Sequence, residues 1–154
     1  MKTHYYTLMQ TSTGRPFLKI EKSITGKYVF DGRNILRDFA KNTLFDPMPA
    51  EEMVYLLVLN SQQKLKGIFL VSQGTLDSAI VCPREILIRA LLCGAASIIV
   101  THNHPSGSVE MSEKDIRFYS RLTLACSYVG IKLLDFLVVG EKVAFKDENG
   151  IVVI

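Results

Sequence analysis

The chain has no tryptophan, and only three cysteines and three histidines among 154 residues. Cys82, Cys93 and Cys126 are odd in number, far apart and set in apolar surroundings, with no Cys-x-x-Cys pair. That excludes a disulfide framework and a cysteine-based zinc site, and predicts buried free thiols in a reducing compartment. The first residues, "MKTHYYTLMQTSTGR", hold no apolar core of a signal peptide. No apolar run approaches a bilayer span. The expectation is a cytoplasmic protein without a membrane segment. Charge of one sign is scarce too: the net charge is +3, with small basic groups at Arg33/Arg37/Lys41 and Arg117/Arg121. This allows at most a weak nucleic-acid association. Linkers, repeats and low-complexity tracts are absent, so one domain spanning 1–154 is expected.

What is present is apolar material in short, punctuated pieces, 48% of the chain. "PFLKIEKSI" and "KYVF" read as β segments before an Asp31-Gly32 turn, and "NILRDFAKNTL" as a helix. Pro47 and Pro49 interrupt the chain. "MVYLLVLN" reads as a central strand, "IFLVSQG" as its return and "SAIVC" as a third strand. Pro83 suits the first turn of a helix over "PREILIRALLCGAA". "SIIVTH" is a buried strand, "SEKDIRFYSRLTLACSYVG" a helix, "IKLLDFLVVG" a strand and "KVAFKDENGIVVI" a hairpin. The order predicts an α/β fold, a mixed sheet flanked by helices, in which Ser78 to His102 forms a right-handed crossover.

Two of the three histidines stand one residue apart in "VTHNHPSGSVEMSEKD". In extended backbone, residues i and i+2 share a face, so His102 and His104 aim the same way while Asn103 points away. Pro105 keeps His104 out of the helical region. Ser112 and Asp115 lie three apart at a helix start and share a face. A loop folding back sets Asp115 beside the imidazoles. Two imidazoles and a carboxylate are three ligands for Zn2+, with a fourth position left to water. Each piece has a plainer use: histidines occur in cores and on surfaces, and Ser112 with Asp115 is also a helix N-cap. Capping and ligation can coexist on one carboxylate. The adjacent letters His-Asn-His do not make an HNH nuclease, whose residues are scattered through a ββα finger.

The combined pattern resembles the JAMM motif of MPN-type metalloproteases, and "GTLDS", "PREIL", "LLCGAASIIVTHNHPSG" and "IKLLDFLVVG" resemble the RadC-like branch in order. The resemblance covers about 51–154, and residues 1–50 are expected to be an N-terminal extension packed on the domain. It implies the MPN (JAB, cytidine-deaminase-like) fold. It also implies zinc held by His102, His104 and Asp115, Ser112 supporting an oxyanion, and an upstream glutamate as general acid/base. "EMVYLLVLN" matches for that glutamate and gives Glu52, with Glu51 one residue out of register. Glu85, Glu110 and Glu113 are poorer candidates, and Arg84 and Ser106 are not placed. The activity implied is hydrolysis of a peptide or isopeptide bond in a peptide or protein substrate. The other readings are a non-catalytic MPN binding module and a DNA repair-associated accessory protein, the label this branch carries. Three departures stand out. The helix-hairpin-helix-like region of longer relatives does not fit in this length, Phe136 stands where the family has histidine, and Met111 replaces a proline.

Overall fold

The computed structural model describes residues 2–74 and 81–154. Its elements in chain order are β1 (Lys2–Gln10), β2 (Pro16–Thr25), α1 (Arg33–Phe39) with a π-helical continuation (Ala40–Leu44), β3 (Met53–Leu59), β4 (Leu65–Gln73), α2 (Pro83–Leu92), β5 (Ser97–Asn103), α3 (Glu113–Tyr128), β6 (Lys132–Val139), β7 (Val143–Asp147) and β8 (Gly150–Val153). The eight strands form one mixed sheet in the order β2-β1-β4-β3-β5-β6-β7-β8.

Strand alternation builds a core on each side of this sheet. In β3, Leu57 and Leu59 join Leu36, Phe39 and Leu44 of α1 and its continuation on one face. Leu56 and Val58 join Ile86 and Ala90 of α2 and Leu122 and Cys126 of α3 on the other. Strands buried on both faces need continuous apolar sequence, and "MVYLLVLN" and "SIIVTH" supply it. The mixed sheet with helices on both faces is the expected fold class.

Several local expectations differ from the structure. The N-terminal stretch, read only as lacking a signal peptide, is a full strand: β1 pairs antiparallel with β2 and touches β4 in parallel at His4–Gly67 and Tyr5–Ile68. "KYVF" is not a strand and makes a single bridge, Val29 to Lys64. The Phe30 N–H donates to the Gln63 carbonyl and the Leu65 N–H to the Tyr28 carbonyl, and from Gly67 on this edge of β4 is taken by β1. α2 ends at Leu92, not Ala96, because Gly94 takes a left-handed turn at φ +65°. Of the expected strand "SAIVC", Ser78, Ala79 and Ile80 lie outside the described residues, and Val81 and Cys82 are irregular. The crossover expected from Ser78 to His102 begins outside the described residues; β4 and β5, each antiparallel to β3, run parallel to each other with β3 between them. Between adjacent parallel strands the crossover is β5–α3–β6, which carries α3 back over the sheet to the end of β5.

Thr101 is fully buried on β5, and its hydroxyl has no hydrogen-bond partner among the described residues. An unpaired buried hydroxyl costs on the order of 1–3 kcal/mol, and valine fills the same space without it. Thr101→Val is expected to raise the melting temperature by about 2–4 °C in thermal unfolding. A fall would show that the hydroxyl has a partner.

Candidate metal centre

β5 runs between antiparallel β3 and parallel β6, and its last residues form the site. His102 lies on the same face as Ile98 and Val100, which is the face α3 covers. His104 follows the strand end, and its N–H donates to the Val139 carbonyl of β6 at 2.9 Å. The chain then turns: the Gly107 N–H donates to the His104 carbonyl at 2.9 Å, and the Glu141 N–H donates to the Gly107 carbonyl at 2.9 Å. Gly140 makes this docking possible. A Cβ there would press into the Gly107 carbonyl and lie 2.8 Å from the Ser108 backbone oxygen.

The returning loop delivers the N-terminus of α3. Ser112 is its N-cap, and Ser112 with Asp115 forms a reciprocal capping box. The Asp115 N–H donates to Ser112 Oγ at 3.2 Å, while the Ser112 N–H and hydroxyl both donate to Asp115 Oδ2, at 2.8 and 2.7 Å. This leaves Asp115 Oδ1 facing His102.

The two imidazoles and the carboxylate converge as the spacing predicts. His102 Nε2 lies 3.1 Å from His104 Nε2 and 3.2 Å from Asp115 Oδ1, and His104 Nε2 lies 3.8 Å from Asp115 Oδ2. Three atoms bonded to one tetrahedral zinc at about 2.0–2.1 Å stand about 3.3–3.4 Å apart; here one ligand atom from each residue lies within 4.8 Å of the others, so these residues could hold such an ion after the side chains draw in. Their protonation suits it. Burial works against the charge on Asp115, but the hydrogen bond and charge of His102 and the two donations from Ser112 outweigh it. They hold its pKa down to about 2. Burial, reinforced by the charge of His102, pushes His104 below the usual imidazole value, against the pull of Asp115, Glu52 and a Ser108 hydrogen bond. At neutral pH this donor set offers an anion and an imidazole lone pair, the forms a metal requires.

The strand register separates the two candidate glutamates. Val54 of β3 faces His102 across the ladder. Glu52, two residues earlier, falls on the same face beside His104, half-buried and near enough to favour that ring's charged form. Glu51 is exposed, and its carboxylate accepts from the Gln73 amide at 2.9 Å.

The remaining sequence candidates are placed elsewhere. Arg84 pairs with Glu85 at 2.9 Å, and Ser106 Oγ accepts from the Ser108 N–H within its own loop. Glu110 and Glu113 are exposed. Phe136 is buried with its ring 5.4 Å from that of His102, so an apolar wall supports that imidazole. Met111 is partly buried against the same core. Sequence reasoning missed the partners of Asn103. Its Oδ1 accepts from the Met53 N–H at 2.7 Å, and its Nδ2 donates to the carbonyls of Glu51 at 3.1 Å and Pro49 at 3.4 Å. Alternation placed this side chain away from the histidines, but no local signal named a segment fifty residues upstream.

Because the loop carrying His104 rests on Gly140, Gly140→Ala is expected to cost about 1–3 kcal/mol of stability and to weaken divalent-metal binding about tenfold. Chemical denaturation and competition with a chromophoric chelator measure the two effects. Wild-type values for both would remove Gly140 from the account.

The profile of the RadC-like JAB domain matches residues 32–151, beginning earlier than the resemblance at about residue 51. A UPF0758 protein of Streptococcus suis is 39% identical over 104 residues, covering 66% of this chain and 42% of its own. One of Actinobacillus pleuropneumoniae is 42% identical over 98 residues, covering 64% of this chain and 44% of its own. One of Pseudomonas fluorescens is 38% identical over 114 residues, covering 73% of this chain and 50% of its own. The chain spans about half the length, or less, of these curated relatives. With the mixed sheet, the paired histidines and the capping-box aspartate in place, the chain belongs to the RadC-like JAB domain family.

Proposed function

We propose that this protein is a zinc-dependent hydrolase of the JAMM type, which cleaves a peptide or isopeptide bond with an activated water. The observation that carries the reading is the convergence of His102, His104 and Asp115, with Glu52 on the same face of the sheet. A bound zinc would supply Lewis acidity and bring the pKa of a water from about 16 toward about 7.

The protein's own groups do the rest. His102 and His104 present Nε2, and Asp115 presents Oδ1 while Ser112 occupies its Oδ2. The Glu52 carboxylate accepts the proton of the attacking water and passes it to the departing amine nitrogen. The Ser112 hydroxyl supports the developing oxyanion. In this structure it donates a hydrogen bond to Asp115 Oδ2, so that duty requires the hydroxyl to turn toward the substrate while the Ser112 N–H keeps hold of the carboxylate. The buried ring of Phe136 against His102 forms an apolar wall on the inner side of the site.

The free thiols Cys82, Cys93 and Cys126 favour a cytoplasmic location, and no helix among the described residues is long and apolar enough to cross a membrane. The substrate class that fits is a peptide or a protein segment.

Metal analysis of purified protein is expected to give one zinc per chain, and His104→Ala to abolish it. Failure of the wild type to bind any transition metal at micromolar concentration would retire the hydrolase reading. Glu52→Gln is expected to keep the metal while lowering turnover of a cleavable sequence from a peptide library by about 10²–10⁴-fold. Unchanged turnover would remove Glu52 from the mechanism.

A further inference from the structure

We propose that Asn103 is a positioning residue, which fixes the Glu52 carboxylate against the metal centre by holding the peptide groups on both sides of Glu52. The inference rests on the reading of Glu52 as the proton carrier, and adds how that carboxylate is aimed.

Asn103 is fully buried, and besides the longer contact to the Pro49 carbonyl its amide holds the two peptide planes that flank Glu52. Nδ2 holds the carbonyl of the Glu51–Glu52 peptide, and Oδ1 holds the N–H of the Glu52–Met53 peptide. The carbonyl of that second peptide accepts from the Gly74 N–H at 2.9 Å. Both planes flanking the Glu52 Cα are therefore anchored, which sets its φ and ψ and the direction of its Cβ. The clamp begins where the backbone ladder stops. Val54–His102 is the last pair between β3 and β5, and beyond it the Asn103 side chain replaces strand pairing.

Few side chains can do this. The site asks for one acceptor toward an N–H and donors toward carbonyls, from a single planar group of this length. Aspartate offers no donor, leucine offers neither, and serine is too short to span both planes. The placement in sequence matters as much. Asn103 lies between His102 and His104, so both imidazoles leave one face of a three-residue strip while the clamp leaves the other. The same three residues of β5 that carry the two imidazoles therefore also hold the segment that carries Glu52.

The test uses the full chain loaded with cobalt(II), and compares the wild type, Asn103→Ser, Glu52→Gln and the double variant at neutral pH. Asn103→Ser is expected to keep one cobalt per chain and to shift the cobalt visible band as Glu52→Gln does. It is expected to add nothing in the Glu52→Gln background, since the effect passes through Glu52. The Met53 amide is expected to exchange with solvent at least tenfold faster in Asn103→Ser than in the wild type. A wild-type band in Asn103→Ser, or a shift that persists in the Glu52→Gln background, would overturn the proposal. If Asn103→Ser does not fold, Asn103→Asp takes its place in the cycle with the same expected band. An unprotected Met53 amide in the wild type overturns the clamp without any variant. A wild type that takes up no cobalt would instead defeat the hydrolase reading, and Met53 exchange would still decide whether Asn103 holds the segment.

Discussion

The register between β3 and β5, in which Val54 faces His102, is the constraint on which the site depends. It puts Glu52 beside His104 and Asn103 against the segment that carries Glu52. Slipping this pairing by one residue would turn the imidazoles into the core that faces α1 and bring Glu51 forward in place of Glu52. The apolar residues prevent such a slip. Leu56 and Val58 of β3 and Ile98 and Val100 of β5 fill one core, and Leu57, Leu59 and Ile99 fill the other. A large hydrophobic cost thus fixes the positions of a few polar atoms.

The polar atoms are then fastened by hydrogen bonds that each serve two purposes. The Ser112–Asp115 capping box closes the N-terminus of α3 and also leaves one carboxylate oxygen directed at His102. Placement at the helix N-terminus favours the negative charge on Asp115, beyond the donations from Ser112. The His104 N–H bond to Val139 extends pairing with β6 past the strand end, and the Gly107–Glu141 bond ties the following turn to the β6–β7 connection. On the far side of the sheet, Arg33 bridges Asp135 of β6 and Asp147 of β7 at 3.0 and 2.8 Å, so α1 is pinned to the same strands that hold the loop.

What was legible in the sequence was local. His102 and His104 share a face because strands alternate, and Ser112 and Asp115 share one because helices turn, so three donors able to hold a metal could be read from spacing once the loop between them folds back. β3, β5 and β6 announced themselves as apolar runs. What was not legible depended on distant neighbours. β1 has half-polar sequence and is a strand because β2 and β4 flank it. "KYVF" has strand composition and makes only one bridge, because β1 takes that edge of β4 from Gly67 on. Gly140 is one glycine after a strand until Gly107 arrives against it. The resemblance of "EMVYLLVLN" already favoured Glu52 over Glu51, but that Glu52 approaches His104 while Glu51 meets Gln73 depends on the β3–β5 register and on a distant side chain, which no local property of "PAEEMVY" encodes.

Diffraction from zinc-soaked crystals, recorded on both sides of the zinc absorption edge, tests the central claim most directly. The account predicts one anomalous peak per chain, about 2.0–2.2 Å from His102 Nε2, His104 Nε2 and an Asp115 carboxylate oxygen, with one coordination position open. No peak between the two rings, or a peak bound by other residues with His102 and His104 still hydrogen-bonded to each other, would contradict it.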